Sequence, residues 1–98
     1  MAVKTITVHT DSGGAFTYER VLRAVVHGIE VQLGDVAPLV APDIDITDDT
    51  YGTTFLSETA IAADAVFFPD AVCMGIFKVV VTGAGASTRG RIVVLHHG

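Results

Sequence analysis

The amino-acid sequence predicts an all-β fold, a small antiparallel β-sandwich or barrel of about seven strands. Short runs alternate apolar with polar residues, these runs are rich in β-branched and aromatic residues, and turn-forming residues interrupt them about every ten positions. A chain of 98 residues has room for one hydrophobic core, so we expect a single domain over residues 1–98.

Residues 3–10 predict the first strand, because Lys4, Ile6 and Val8 fall on one side of an extended chain and the intervening residues fall on the other. The next four residues, Asp-Ser-Gly-Gly at 11–14, are typical of a tight turn. The chain is therefore expected to reverse its direction after the first strand.

Residues 15–34 favour a long strand bent at His27-Gly28, since their valines and aromatic residues suit a sheet. A helix is the less favoured alternative, supported by four positions near helical spacing: Glu19, Leu22, Val26 and Ile29. Residues 34–43 contain two prolines and predict a loop or an edge connection.

Residues 43–49 alternate again, with Ile44 and Ile46 predicted to face the core and the intervening polar residues to face solvent. A turn is expected at 48–53, which contains a glycine. This segment therefore predicts a strand followed by a change of direction.

Two further short strands are predicted at residues 53–59 and 65–72, with a turn of helix at 60–64 between them. Phe67 and Phe68 are adjacent in the second of these strands, so their rings should point to opposite faces. We expect one ring to fill the core and the other to anchor a neighbouring subunit.

The last two strands are predicted at residues 75–83 and 89–97, on either side of the glycine- and serine-containing segment 82–88. Two β-branched runs that bracket such a segment are typical of a β-hairpin. The sequence therefore predicts that these two strands pair with each other.

The composition indicates that the protein assembles. Hydrophobic residues make up 50% of the chain and charged residues only 17%, whereas a domain of this size buries about two thirds of the surface that its unfolded chain exposes. Apolar area should therefore remain on the outside of an isolated subunit, and such patches usually mark interfaces.

Several classes of protein are disfavoured by the sequence. No apolar run reaches the length of a membrane span, and the alternating N-terminus does not resemble a signal peptide. Cys73 is alone, which excludes an internal disulfide and a cysteine metal cluster and fits a reducing compartment. The net charge of -5 disfavours nucleic-acid binding.

The turn at 11–14 also matches, over four residues, the nucleophile loop of trypsin-like proteases. Catalysis at Ser12 would need a histidine base, a buried aspartate and an oxyanion hole. Four histidines are available in principle: His9, His27, His96 and His97. The chain has no room for the second barrel of that family, so we interpret the segment as a turn and expect no enzyme.

Three other patterns have a binding alternative and a structural one. The segment 82–90 is glycine-rich but lacks the Gly-Lys-Ser/Thr ending and the following helix of a phosphate loop. The acidic run 43–49 could hold calcium but departs from the EF-hand pattern at its sixth and twelfth positions, Asp48 and Thr54. Adjacent strand residues such as His96 and His97 point apart and do not readily chelate one metal. We therefore expect no cofactor and no metal.

The chain resembles a group of small proteins from tailed bacteriophages. The likeness rests on three segments: residues 45–55, which correspond to an "aditT-TG-LL" stretch; Phe67-Phe68-Pro69-Asp70, which corresponds to "FYPR"; and 79–94, which corresponds to a closing "V-V--GG---G-V" hairpin. Asp70 stands where a basic residue is common in the group, and the stretch between Pro69 and the last hairpin is very short.

The resemblance implies a virion structural protein, a head decoration or cement protein that binds the outside of the major capsid protein lattice. It implies a β-rich homo-oligomer, with a trimer favoured, made in the bacterial host cytoplasm and then carried on the capsid exterior. No catalytic residue carries over. Contacts are expected from Phe16, Tyr18, Tyr51, Phe55 and Phe68, and from an arm containing Val36, Leu39 and Val40.

Two alternatives remain open at this point. One is another virion component, such as a tail, connector or fibre-base module, which would have the same composition. The other is a small hydrolase or metal-binding domain built on Ser12 or on the acidic run 43–49.

Overall fold

Nine β-strands make up the computed structural model, which describes residues 1–33, 42–61 and 64–98. Their bounds are β1 Ala2–His9, β2 Phe16–Val21, β3 Ala24–Gln32, β4 Asp43–Asp48, β5 Thr54–Glu58, β6 Asp64–Phe67, β7 Ala71–Cys73, β8 Ile76–Thr82 and β9 Arg89–His97. The described residues contain no helix, so the predicted all-β fold class is confirmed.

The strands form two antiparallel sheets. Sheet A has the order β1-β9-β3-β6, with β7 pairing the other end of β3, and sheet B has the order β2-β8-β4-β5. The central strands β8 and β9 pair with strands that are distant in sequence. Two facing sheets with this crossed strand order are the arrangement of a jelly roll, a sandwich architecture found among viral capsid and lectin domains.

The core lies between the two sheets and is almost entirely aliphatic. Alternate residues of each central strand point inward, as the period of two requires. The largest fully buried side chains are Phe77, Ile29, Leu33, Ile44, Ile46, Ile92, Val8, Val26, Val31, Val79, Val81 and Val94. The predicted inward positions Ile6, Val8, Ile44 and Ile46 are confirmed.

The long strand predicted over 15–34 is divided into two strands. The chain leaves sheet B after β2, passes through Leu22 and Arg23, and enters sheet A as β3. The Leu22 N–H donates to the Gly75 carbonyl at 3.0 Å, which fixes this crossing. The predicted irregularity at His27-Gly28 is present as a register shift in the pairing of β3 with β9.

The predicted closing hairpin is wrong. Strands β8 and β9 form as expected, but β8 pairs with β2 and β4 in sheet B, whereas β9 pairs with β1 and β3 in sheet A. The segment between them is an arch from one sheet to the other. Three of its residues have positive φ, Gly83, Gly85 and Ser87, and this lets the arch turn sharply.

The region predicted as one strand over 65–72 contains two, β6 and β7, which pair with opposite ends of β3. Asp70, with φ 46°, lies between them and allows the change of direction. Phe67 packs against the core and Phe68 is 72% exposed, so the two rings lie on opposite faces.

Candidate functional site

The two segments with an apparent catalytic or phosphate-binding pattern contact each other at one end of the sandwich. The Ala84 N–H donates to the Gly14 carbonyl at 3.2 Å, and the Ser87 N–H donates to the Asp11 carbonyl at 3.3 Å. A Cβ on Gly14 would lie 2.8 Å from the Gly85 nitrogen. The turn and the arch therefore hold each other in place through their backbones.

Within the turn, the Asp11 side chain organises its own backbone. Its Oδ1 accepts hydrogen bonds from the Gly13 N–H at 2.8 Å and the Ala15 N–H at 3.0 Å. The Ala15 and Gly13 amides lower the pKa of the Asp11 carboxyl by stabilising its charged form. Ser12 is exposed, and no hydrogen bond joins it to a histidine of the described chain. This geometry is a turn.

The aspartates of the predicted calcium segment diverge from one another. Asp43 accepts the Ala60 N–H at 3.0 Å, Asp45 accepts the Ser57 hydroxyl at 2.7 Å, and Asp48 points into the protein. No cluster of three metal-ligating side chains occurs in residues 1–33, 42–61 and 64–98. These carboxylates accept hydrogen bonds from nearby backbone and side-chain donors.

Asp48 is buried and joins two turns. Its Oδ1 accepts the Thr50 and Tyr51 N–H groups at 3.0 and 3.2 Å, and its Oδ2 accepts the Met74 N–H at 3.0 Å. Burial raises the pKa of this carboxyl, but the backbone donors together outweigh burial, so the pKa is lowered overall. Asp48 thus connects the β4–β5 turn to the segment between β7 and β8.

Two of the histidines contact each other on sheet A. His27 Nδ1 lies 3.1 Å from Asp70 Oδ1, and the His27 ring meets the His97 ring edge to face at 6.4 Å between centroids. His96 points to the opposite side of β9 from His97, and its Nδ1 is buried without a hydrogen-bond partner among the described residues. His27 and His97 instead contribute to the outer surface of sheet A.

The predicted contact residues occupy different environments. Tyr51 and Phe68 are 69% and 72% exposed, whereas Phe16 and Tyr18 are half-buried against the core. Phe55 is only 6% exposed and packs against Phe77 with 5.7 Å between ring centroids, so the structure places it in the core instead of at an interface. The predicted arm with Val36, Leu39 and Val40 lies outside the described residues.

An apolar patch on the outer face of sheet A was missed by sequence reasoning. Cross-strand pairing places Val93 opposite Thr5 and Glu30, and Glu30 opposite Val66, all on the side away from the core. Leu95 similarly pairs with Val3. We call the following set the aliphatic patch: Val3, Val25, Val66, Val72, Val93 and Leu95.

The aliphatic patch was detectable in part from the sequence. In β9, Ile92 and Val94 face the core, so the intervening Val93 and Leu95 make the opposite face apolar as well. A strand that is apolar on both faces is expected to be covered on both faces. Overlapping the patch at Val66 lies a shallow depression that is also lined by Thr7, Glu30, Gln32, Asp64 and Arg91.

The outer face of sheet B is mainly polar and acidic, although Val80 and the exposed Val21 also lie on it. Thr17, Asp45 and Ser57 surround Val80 through cross-strand pairing. Lys78 lies 3.7 Å from Glu19 and 4.0 Å from Asp49, measured from Nζ to a carboxylate oxygen. The two outer faces of the sandwich therefore differ in character, and the outer face of sheet A is the candidate interaction surface.

Comparison with known proteins gave a match at the level of fold. No family model matches the chain, and no curated protein matches its sequence. Among solved structures, the chain is similar to the Drosophila NLP core, a structure described for its pentamer formation and histone binding, with a TM-score of 0.53 and 10% identity over 100% of both chains. At this identity the similarity is one of fold. No helix that could span a membrane occurs in the described part of the chain.

Proposed function

We propose that this protein is a bacteriophage virion structural protein of the head-decoration type, which binds the outside of the major capsid lattice and stabilises the head. One observation carries the proposal: sheet A has its aliphatic patch on the face that points away from the core. Val66 and Val3 are 55% and 61% exposed there, and burial of such side chains against a partner is favourable.

Three further points support this assignment. The sequence resembles small tailed-phage proteins in the segments 45–55, 67–70 and 79–94. The jelly-roll architecture is one that viral capsid proteins use. The polarity of sheet B suits a surface that stays in water while sheet A is covered.

A matched pair of variants tests the docking face. Val93→Glu places a carboxylate in the middle of the aliphatic patch, and Val80→Glu places the same group at the corresponding central position of sheet B. Both valines are half-buried residues on the outer side of a central strand. Heads of the phage that encodes the chain, prepared without this protein, are incubated with each variant, and bound protein is measured after pelleting.

We expect the unmodified protein and Val80→Glu to bind, and Val93→Glu to lose binding by tenfold or more, since an unpaired buried charge opposes docking. Equal binding of the two variants would contradict the proposed face. Electron microscopy of intact particles tests the function itself. Density repeated over the head lattice supports decoration, a few copies at the tail vertex would assign a tail or connector role, and absence from the particle would exclude both.

A second candidate function follows from charge. The outer face of sheet B carries Glu19, Asp43, Asp45 and Asp49, with Lys78 as its one cation among the described residues. An acidic face of this kind could bind a basic protein, and histone binding is described for the NLP core, which shares the fold. Binding of purified histones at physiological salt, abolished by Asp43→Asn with Asp45→Asn, would favour this candidate.

A further inference from the structure

The two lateral sides of the sandwich carry opposite charge. Strands β1 and β2 are edge strands of sheets A and B on one side, and β5 and β6 are edge strands on the other. We call the first the basic side, defined by Lys4, Tyr18 and Arg20, and the second the acidic side, defined by Glu58, Asp64 and Phe68. Lys4 belongs to β1, which pairs with β9, and Asp64 lies two residues before Val66 on β6, so both sides border the aliphatic patch.

The basic side presents two cations next to one ring. Lys4 Nζ lies 5.7 Å from the centre of the Tyr18 ring, and the Arg20 guanidinium carbon lies 5.6 Å from it. This contact also shows that β1 and β2 are neighbours across the two sheets. Neither cation lies within 4.0 Å of a carboxylate in the described ranges, so both can bind an external anion.

The acidic side combines carboxylates with an exposed ring. A shallow groove runs between the edge of β5 and residues 67–69, and both Glu58 and Phe68 line it. Asp64 lies on the neighbouring edge strand β6. Within the described chain, neither Glu58 nor Asp64 has a cation within 4.0 Å. The side therefore offers uncompensated negative charge beside a ring that is 72% exposed.

Both sides also have open backbone edges. Within the described residues, β1 pairs only with β9, β2 only with β8, β5 only with β4 and β6 only with β3. An open edge leaves backbone donors and acceptors available to another chain. Charge and edge structure therefore both point to a partner along the sides of the sandwich.

We propose that copies of this chain associate head to tail, with the basic side of one copy against the acidic side of the next. The inference goes beyond the proposed function because it concerns contacts between copies and not the capsid lattice. If the basic sides of two copies met, Lys4 and Arg20 of one copy would face Lys4 and Arg20 of the other, and this repulsion is unfavourable. A head-to-tail contact between opposite sides is heterologous, and it produces a ring when the rotation closes.

Charge reversal tests the pairing. The basic-side variant carries Lys4→Glu with Arg20→Glu, and the acidic-side variant carries Glu58→Lys with Asp64→Lys. All four residues lie at or near the surface, and circular dichroism checks that each variant folds. Asp45→Lys, on the outer face of sheet B, controls for a change of charge away from either side.

Sedimentation velocity at micromolar concentration gives the readout. We expect the unmodified protein and Asp45→Lys to associate, each reversal variant alone to be monomeric, and a mixture of the two variants to associate, since each contact between unlike variants is complementary again. The dissociation constant of each variant alone should rise by about tenfold or more. Association of the unmodified protein should also weaken as salt is raised.

A monomeric unmodified protein would overturn the proposal. So would a folded reversal variant that associates as the unmodified protein does, or a mixture that stays monomeric. Val93→Glu separates this inference from the proposed function, because it lies in the aliphatic patch and should leave association between copies unchanged while removing binding to heads.

Discussion

Thr10 and Thr88 are joined by two reciprocal hydrogen bonds across the end of the sandwich. The Thr88 N–H donates to the Thr10 hydroxyl at 2.8 Å, and the Thr10 N–H donates to the Thr88 carbonyl at 2.9 Å. The Thr10 hydroxyl donates in turn to the Gly85 carbonyl at 2.7 Å. Both residues are buried, so one hydroxyl connects the end of β1 to the arch that precedes β9.

Thr10→Val should destabilise the protein by ~1–3 kcal/mol, because the valine keeps the shape but leaves the buried Thr88 N–H and Gly85 carbonyl without this partner. Urea denaturation measures the change in the free energy of unfolding. Thr17→Val, at an exposed position of β2, is the matched control and should change stability by less than ~0.5 kcal/mol. Equal effects would show that the Thr10 hydroxyl contributes no specific stability.

Gly90→Ala should be strongly destabilising. A Cβ at this position would come within 2.8 Å of the Leu33 Cα and would also collide with the Gln32 carbonyl, so backbone atoms of two segments would have to move apart. We expect a loss of ~1–3 kcal/mol or more from such overpacking. Gly13→Ala is the control, since its nearest neighbour would be 3.4 Å away. The midpoint of thermal unfolding should be clearly lower for Gly90→Ala than for Gly13→Ala.

Stability should fall in acid because of Asp48. Its pKa is lowered in the folded protein from an ordinary value of 3.8, so its contribution is fully present above that value and is lost as the pH falls through the lower, folded-state pKa. Asp48→Asn should be less stable at neutral pH and should lose less stability on acidification than the unmodified protein. Denaturant titrations between pH 7 and about pH 3 measure both effects.

The control for this experiment is Asp45→Asn, which removes a carboxylate from the same strand at an exposed position. The free energy of unfolding of Asp45→Asn should be close to that of the unmodified protein at neutral pH. If Asp48→Asn and Asp45→Asn gave the same stability at pH 7, the backbone hydrogen bonds of Asp48 would not contribute as inferred.

Cys73 should be unreactive in the folded protein. The residue is fully buried, and burial raises the pKa of its thiol, so little thiolate forms at neutral pH. A thiol reagent such as dithionitrobenzoate should label it slowly in buffer and rapidly in denaturant. Rapid labelling without denaturant would indicate that the β7–β8 region opens, and Asp48→Asn should increase the rate because Asp48 holds that segment.

Much of the fold could be predicted from local alternation. Ile6, Val8, Ile44 and Ile46 face the core as their spacing indicated, because the side-chain period of a strand is fixed by backbone geometry. The break between β2 and β3, in contrast, has no signal in the local sequence. Leu22 and Arg23 are not turn-forming residues, and the crossing is held by a tertiary hydrogen bond from Leu22 to Gly75.

Strand pairing was harder to predict than strand position. Residues 83–88 would suit either a hairpin or an arch, and the choice depends on which strands occupy the neighbouring positions in each sheet. The exposed apolar surface was also predicted from composition, but its location was not. Most of the predicted contact residues were aromatic, whereas valines such as Val66 and Val93 form most of the patch, because their outward direction follows from pairing and not from residue type.

The central place of β9 in sheet A has a consequence for how the subunit is made. Neither β1 nor β3 has its long pairing partner until β9 has been synthesised, although β1 leaves the ribosome first. Contacts between such distant parts of a chain form slowly, since a long loop must close before any pairing energy is gained. During translation the backbone N–H and C=O groups of β1 therefore stay unpaired until β9 has been made. Newly made chains need rapid completion of β9 to avoid pairing with one another through these groups.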